Sequence, residues 1–359
     1  MLAAIARALP DGIVLDLRPN AVVVDSPHVL ARRQECVMVC SAAVVLDLCF
    51  AAMTVSPTTI VRRRVQIDFG TVPPGPWFPA GGWIEVVFNA ASISFPLAER
   101  FGIDALRDSR GRIEDPELLK QIGGFLHQEA MHDRVHTACN DMLARHNPRC
   151  IRAERVSAGV FRLLSRTPLA FRLSVSAGME HVAALLAVVV LQHDKELHDV
   201  LPAPVADLWV WHAVEETEHK AVCFDVHAAA VGTGFLAYVN RVFGMLIATP
   251  LFLLVMLGIG AAVQGSPRPA PVKPSAPAAD ARPPDRFTGR NILGVLRAAI
   301  PWRQYFSYYR PSFHPWEHDN SHLVTDWKAR HPHFGSSPNA SASTDRVPDP
   351  QLSASPARA

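Results

Sequence analysis

The chain has 359 residues, 49% of them apolar, with a formal net charge of +2, which is enough to bury one large core with tails and argues against two equal domains. No dense basic stripe is interleaved with aromatics, so nucleic acid is excluded as a partner; the single basic run, Arg62-Arg63-Arg64, reads as a solvated or membrane-facing corner. Cys36, Cys40, Cys49, Cys139, Cys150 and Cys223 show neither Cys-x-x-Cys spacing nor the density of a small secreted scaffold, which excludes zinc-finger chemistry and points to reduced thiols in the cytoplasm.

Residues 1–57 read as an extension of uncertain order, and the first ten lack the pattern of a signal peptide. Ile13 to Val24 is β-branched enough for a strand pair around Arg18-Pro19-Asn20, and Val37 to Val55 is apolar enough for a buried helix despite Asp47. Residues 57–79 are turn-rich and should run as extended surface chain. A first core helix is expected from near Trp83 to about Arg107, with Pro96 kinking it or marking a restart. Just beyond that proline lies Glu99, the one carboxylate in the apolar part of the helix; it is either a metal ligand or an exposed partner of Arg100 or Arg107.

Asp115 as N-cap and Pro116 at N1 open a second helix that should end near His146-Asn147-Pro148. After a connection of about twenty residues, Pro168 opens a third helix with Glu180 in its apolar middle. An unpaired buried carboxylate is costly, so Glu180 is protonated, paired or bound to metal, and metal is the reading adopted. His181 lies about 100° round from it and is assigned to a supporting or surface role.

Pro202 and Pro204 lead into a fourth helix, Ala206 to about Val231, ended by Gly232. On it His212, Glu216 and His219 fall within about 60° of one another, with Glu215 at the edge of that face and Glu218 and Lys220 pointing away from it. The second helix repeats the device: Glu129 and His132 have the Glu-x-x-His spacing of Glu216 and His219, and His136 extends that face by one turn. One such match is expected by chance about once in a chain like this, whereas two with an added histidine each are specific. A Glu-x-x-His pair from each of two helices, joined by one Glu from each of two others, is the ligand pattern of ferritin-like dinuclear bundles. The expected fold is therefore all-α, a ferritin-like four-helix bundle over 58–235 with a dinuclear metal site. Its ligands would be Glu99, Glu129, His132, Glu180, His212, Glu216 and His219, with His136, Glu215 and His181 as additional ligands or supports. Carboxylate and imidazole without thiolate suit two first-row metal ions, iron favoured, with manganese or zinc as alternatives.

Beyond the bundle, Val242 to Val263, within an expected hydrophobic helix over 240–264, is apolar and uncharged, long enough to span a bilayer and equally consistent with a buried or membrane-surface helix. A Pro/Ala linker over 265–288, an aromatic docking segment over 289–330 and a tail over 335–359 expected to be disordered complete the chain. In the docking segment, His314, His318 and His322 are assigned structural roles. These features predict association with the cytoplasmic side of the membrane, or a cytoplasmic location, and the apolar neighbours of Glu180 suggest a hydrophobic small-molecule substrate, lipid-derived in one reading.

Several runs together carry a resemblance: Arg62-Arg63 with Phe69, Trp77-Phe78-Pro79, Phe95-Pro96 with Glu99-Arg100, and Gln128-Glu129 with His132 and His136. Glu180-His181, Trp211-His212, Glu215-Glu216, Glu218-His219-Lys220, Phe224-Asp225-Val226 and Phe313-His314-Pro315-Trp316 complete it. Over about residues 59 to 320 the chain resembles the bacterial "predicted metal-dependent hydrolase" family, departing from it at Ala98, where glycine is expected, and at His227, where an aromatic is usual. Locally, His212, Glu216 and His219 are also similar to the di-iron p-aminobenzoate N-oxygenases. The first resemblance implies hydrolysis by a metal-bound water. The second implies oxygen chemistry, which is ranked narrowly first, and a metal-binding protein without turnover is the third reading.

Overall fold

Asp115 sets the clearest boundary of the chain. Its carboxylate accepts from the Glu117 amide at 2.9 Å, and Pro116, which has no N–H to leave unsatisfied, opens the helix Pro116–His146 (α2). In this computed structural model the described residues are 14–18, 21–25, 58–73, 77, 82–264, 301–332 and 334. The chain divides between Ser56 and Pro57. In the first unit Val14–Arg18 (β1) and Ala21–Asp25 (β2) pair antiparallel, Val14 opposite Asp25 and Arg18 opposite Ala21, with the expected Pro19-Asn20 between them. The helix expected over Val37 to Val55, the linker and the tail lie outside the described residues.

The second unit is a helical bundle. Gly82–Ser109 (α1) packs on α2, and Leu169–Gln192 (α4) packs on Ala203–His219 (α6), which continues after a break as Val222–Val231 (α7). Phe235–Gln264 (α8) lies along α4 and α1, and Arg149–Leu164 (α3) fits beside α1 and α8. Asp194–Val200 (α5), Trp302–Ser307 (α9) and Ser321–Arg330 (α10) complete the set. With neighbours α1, α6, α7 and α8, α4 has no wet face, which is why its sequence is apolar nearly all round.

The structure departs from the sequence expectations in three places. First, α1 is continuous through Pro96, which therefore marks no restart. The proline has no N–H to give the Ser92 carbonyl one turn back, and Asn140 of α2 supplies the missing donor, its Nδ2 lying 2.9 Å from Ser92 O. Second, the connection after α2 is itself a helix, α3, anchored by Cys150, Ala153, Ser157 and Phe161 at a spacing of three to four residues. Third, the expected single helix to Val231 breaks at Lys220-Ala221. There Lys220 turns inward, donating to His318 O at 2.8 Å and Asn320 Oδ1 at 2.6 Å, with its ammonium 3.9 Å above the Trp316 ring. At the far end, Gly232 with φ of 108° closes α7 in a conformation that favours glycine.

The aromatic segment is docked on the bundle. Buried Arg241 of α8 donates to Tyr308 O at 2.6 Å and Arg310 O at 2.8 Å, and its guanidinium lies 4.9 Å from the centre of the Tyr308 ring. His314 Nε2 meets Asp225 Oδ1 at 3.1 Å and His318 Nε2 meets Ser307 Oγ at 2.8 Å.

Contact between α4 and α8 depends on small residues. A Cβ at Gly244 would stand 2.4 Å from the Ser174 carbonyl carbon, and one at Gly178 would stand 3.1 Å from Met245 Cα. Gly244→Leu should therefore force the two helices apart and cost on the order of 1–3 kcal/mol or more. Gly258→Ala, where an added Cβ meets nothing within 4 Å, should instead stabilise by about 0.5–1 kcal/mol, the helix-interior preference of alanine over glycine. Thermal denaturation of the two variants against the parent measures the difference.

Candidate metal centre

Each of the core helices brings acid or imidazole to one level of the bundle. Glu99 comes from α1, Glu129 and His132 from α2, Glu180 from α4, and His212, Glu216 and His219 from α6. In α2 and α6 the spacings of three and four residues put these groups on one side of the helix. They meet as two groups, Glu99 with His132 and His212, and Glu129 with Glu180, Glu216 and His219, and within each group the ligand atoms lie within 4.8 Å of one another. Glu216 and Glu129 join the two groups: His212 Nε2 is 3.1 Å from Glu216 Oε1, and His132 Nδ1 is 3.5 Å from Glu129 Oε1 and 3.7 Å from Glu216 Oε1. His219 Nε2 is 3.0 Å from Glu129 Oε1 and 3.3 Å from Glu180 Oε2.

These atoms are close but not hydrogen-bonded. Both oxygens of Glu99 and of Glu129, Glu180 Oε2, Glu216 Oε2, His132 Nδ1 and His219 Nε2 are buried without a hydrogen-bond partner. A buried polar atom left unpaired costs about 1–3 kcal/mol, so this number at one place is hard to reconcile with a purely structural cluster. Within each group the ligand atoms are close enough together to share one cation. Four carboxylates carry the charge to balance two divalent cations, and the donor set, oxygen and imidazole nitrogen without sulfur, fits first-row metals.

The far side of each imidazole is held by a neighbour. Gln128 Nε2 donates to Val61 O at 3.0 Å and to Glu218 Oε2 at 2.7 Å, which leaves Gln128 Oε1 to accept from His219 Nδ1 at 2.9 Å. His219 Nε2 is thereby left with its lone pair toward the carboxylates. Behind His212 the relay of hydrogen bonds is longer. Asn140 Nδ2 is engaged by Ser92 O, so Asn140 Oδ1 faces Ser92 and accepts the Ser92 hydroxyl proton at 2.8 Å. Ser92 Oγ then accepts from His136 Nδ1 at 2.9 Å, and His136 Nε2 accepts from His212 Nδ1 at 2.9 Å. His212 Nε2 is left free to face Glu216. His132 Nε2 faces Glu215 Oε2 at 3.2 Å, and Glu215 is in turn gripped by Arg63 at 2.9 Å. Such outer partners fix ring orientation and raise ligand basicity.

Without cations, protons balance the cage. Burial, reinforced by neighbouring Glu129, pushes the Glu99 carboxyl well above the usual carboxylate range, and burial next to Glu216 raises Glu180 to about 8. Burial opposes charge on His132 and His219, but the carboxylates against them win and hold both imidazoles well above their usual range. Burial would likewise raise Glu129 and Glu216, yet His132 and His219 keep Glu129 low, and His219 and His212 keep Glu216 well below its usual range.

All seven side chains named from the sequence as ligands lie in the two groups. The three additional candidates do not. His136 stands one hydrogen bond behind His212, and Glu215 supports His132 from outside. His181 packs 4.9 Å from Tyr308 and 5.2 Å from Phe313, where burial lowers its pKa to about 3; it is a neutral core residue of the docking interface. Sequence reasoning missed Arg63, which is buried and bridges Glu215 and Glu218 at 2.9 and 2.7 Å instead of forming a solvated corner. Glu218 and Lys220, which point away from the ligand face, are buried too. Gln128 was adjacent to a ligand in sequence; Ser92 and Asn140 carried no signal a single helix could reveal.

A family model described as "Predicted metal-dependent hydrolase" matches residues 61–319. No curated protein and no solved structure matches the chain.

Removing an outer partner should loosen the cage without removing a ligand. Gln128→Leu and Glu215→Gln are each expected to weaken metal binding by about 10–100-fold, read by competition with a chelator. Because the raised groups carry protons at neutral pH, cations must displace them, so binding should release protons and strengthen as pH rises toward about 8. Calorimetry in buffers of different ionisation enthalpy counts those protons.

Proposed function

The chain belongs to the predicted metal-dependent hydrolase family; with metal dependence as the premise, and against the hydrolytic part of that description, we propose that it is a dinuclear metal enzyme, iron-loaded, that oxidises an apolar substrate held against the cage. The observation that carries this reading is the pocket in front of the ligands. Glu99, Glu180, His212 and Glu216 form one side of it, while α8 contributes Ala248, Leu251, Phe252 and Val255 and α3 contributes Phe161. Among the described residues its lining has no lysine, arginine or amide side chain. A phosphate ester would find no counter-charge there apart from the metals, whereas a hydrocarbon would meet mostly apolar side chains.

Two iron ions in this cage would supply dioxygen reduction, and two zinc ions would supply water activation. The chain itself supplies position and dryness. Phe95 stacks on His212 with ring centres 4.9 Å apart and planes 16° from parallel, closing one wall and keeping that ligand in place. The apolar walls exclude water from the ligand oxygens. Gln128, Glu215 and His136 hold the three imidazoles from behind, so the site is organised before any substrate enters.

A second reading, hydrolysis of a carboxylic ester, is supported by the family description and by Ser176, whose hydroxyl is buried at the pocket without a partner and could donate to a carbonyl oxygen. The two readings separate in one experiment. Protein loaded anaerobically with ferrous iron and mixed with O2 is expected to consume oxygen and give a visible absorption transient. Absence of both, together with zinc-dependent cleavage of a long-chain nitrophenyl ester that Ser176→Ala slows, would assign hydrolysis.

A further inference from the structure

Among the described residues, one face of α8 has no protein partner. Leu236, Val239, Phe243, Leu246, Pro250, Leu254 and Leu257 recur every three or four residues along it and all are exposed, Leu236 at 81% and Leu254 at 67%. From Val242 to the end of the helix there is no charged residue. A stripe of this length exceeds what single surface apolar residues explain. Beside it, packed through Phe161, Ala158 and Ile247, α3 exposes Val156 at 73% and Leu163 at 66%, together with Arg149, Arg152, Arg155 and Arg162. Its one acidic residue, Glu154, is half-buried.

We propose that α8 lies in the plane of an anionic phospholipid surface, its outer stripe among the acyl chains and the α3 arginines at the headgroup phosphates. An apolar stripe flanked by a cationic face is the pattern of helices that lie on such membranes. Spanning is opposed by the opposite face of the same helix. Gly244, Met245, Ala248 and Ile259 are buried against the bundle, and Arg241 is committed to the carbonyls of Tyr308 and Arg310. To cross a bilayer α8 would have to abandon these contacts or drag the bundle in with it, including exposed Lys120, Arg134 and Glu117 of α2. A second copy of the chain seated on the stripe would bring a second set of the same arginines, with no exposed acid on α3 to meet them. The pocket gives the membrane face a use: its wall is α8 itself, through Leu251, Phe252 and Val255, on the turns that carry Leu254 outward. An apolar molecule dissolved in the bilayer would lie on the other side of this helix from the pocket. That last step rests on the function proposed above; the docking does not.

Full-length protein, checked for metal content, is sedimented with phosphatidylcholine vesicles with and without phosphatidylglycerol. It should bind the anionic vesicles, bind less in high salt, and lose binding in Leu246→Glu and Leu254→Glu. Arg152→Gln and Arg155→Gln should each weaken binding about five-fold. Tryptophan introduced as Leu246→Trp or Leu254→Trp should be quenched by lipids brominated at the same shallow depth. Quenching of the two at clearly different depths would mean a spanning helix and overturn the proposal. So would wild-type protein that ignores anionic vesicles, whether monomeric or a dimer that Leu246→Glu dissociates. Unchanged metal content in the variants separates loss of docking from loss of the cage, and hence from failure of the proposed function.

Discussion

Six consecutive buried polar residues, Glu215 to Lys220, make α6 the element whose demands shape everything around it. Successive residues on a helix point about 100° apart, so such a run presents charge in every direction and no single neighbour can satisfy it. Glu216 and His219 turn to the cage, and Thr217 donates back to Ala213 O. Glu215 and Glu218 need cations from the other side, and Arg63 brings one from the extended segment before α1 while Lys328 of α10 brings another, 2.8 Å from Glu218. Lys220 needs acceptors and finds them after α9. The extended segment and the aromatic segment, far apart in sequence, are both drawn onto the bundle by the same helix.

A buried charge is tolerated only when paired, and removing one partner strands the other. Tight coupling follows among parts that look independent. Val61 O fixes the amide of Gln128, which fixes the ring of His219, while the other end of that amide nitrogen reaches Glu218. The cage is thus continuous, through Gln128, with the segment that precedes the first helix.

Much of this could be read along single helices. Caps at Asp115 and Pro116, the repeated Glu-x-x-His spacing and the isolated acid of Glu180 are local signals, and they sufficed for an all-α bundle and for the side chains that face its centre. What could not be read there are facts of pairing between helices. Arg63 and Glu215 are 152 positions apart, and nothing in a run of three arginines says that the middle one is buried. The helix α3 escaped because its four anchoring residues, Cys150, Ala153, Ser157 and Phe161, are mostly small or polar and are matched by four exposed arginines. Hydropathy marked α8 as membrane-compatible, but a sum over residues does not register that its apolar positions split between a face against α4 and a face that none of the described residues covers.

Pro96 has a meaning that composition alone would assign to a helix defect. In the backbone ladder of an α-helix each carbonyl normally accepts from the amide four residues on, which leaves a neighbour's side chain only a second, shared lone pair. The missing amide at Pro96 opens a socket at Ser92, and Asn140 is plugged into it in one orientation, because reversing its amide would set oxygen against oxygen. From there the donor sense passes without branching through Ser92 and His136 to His212. An imino acid that coordinates nothing thereby sets the polarity of a wire whose far terminal is a ligand nitrogen.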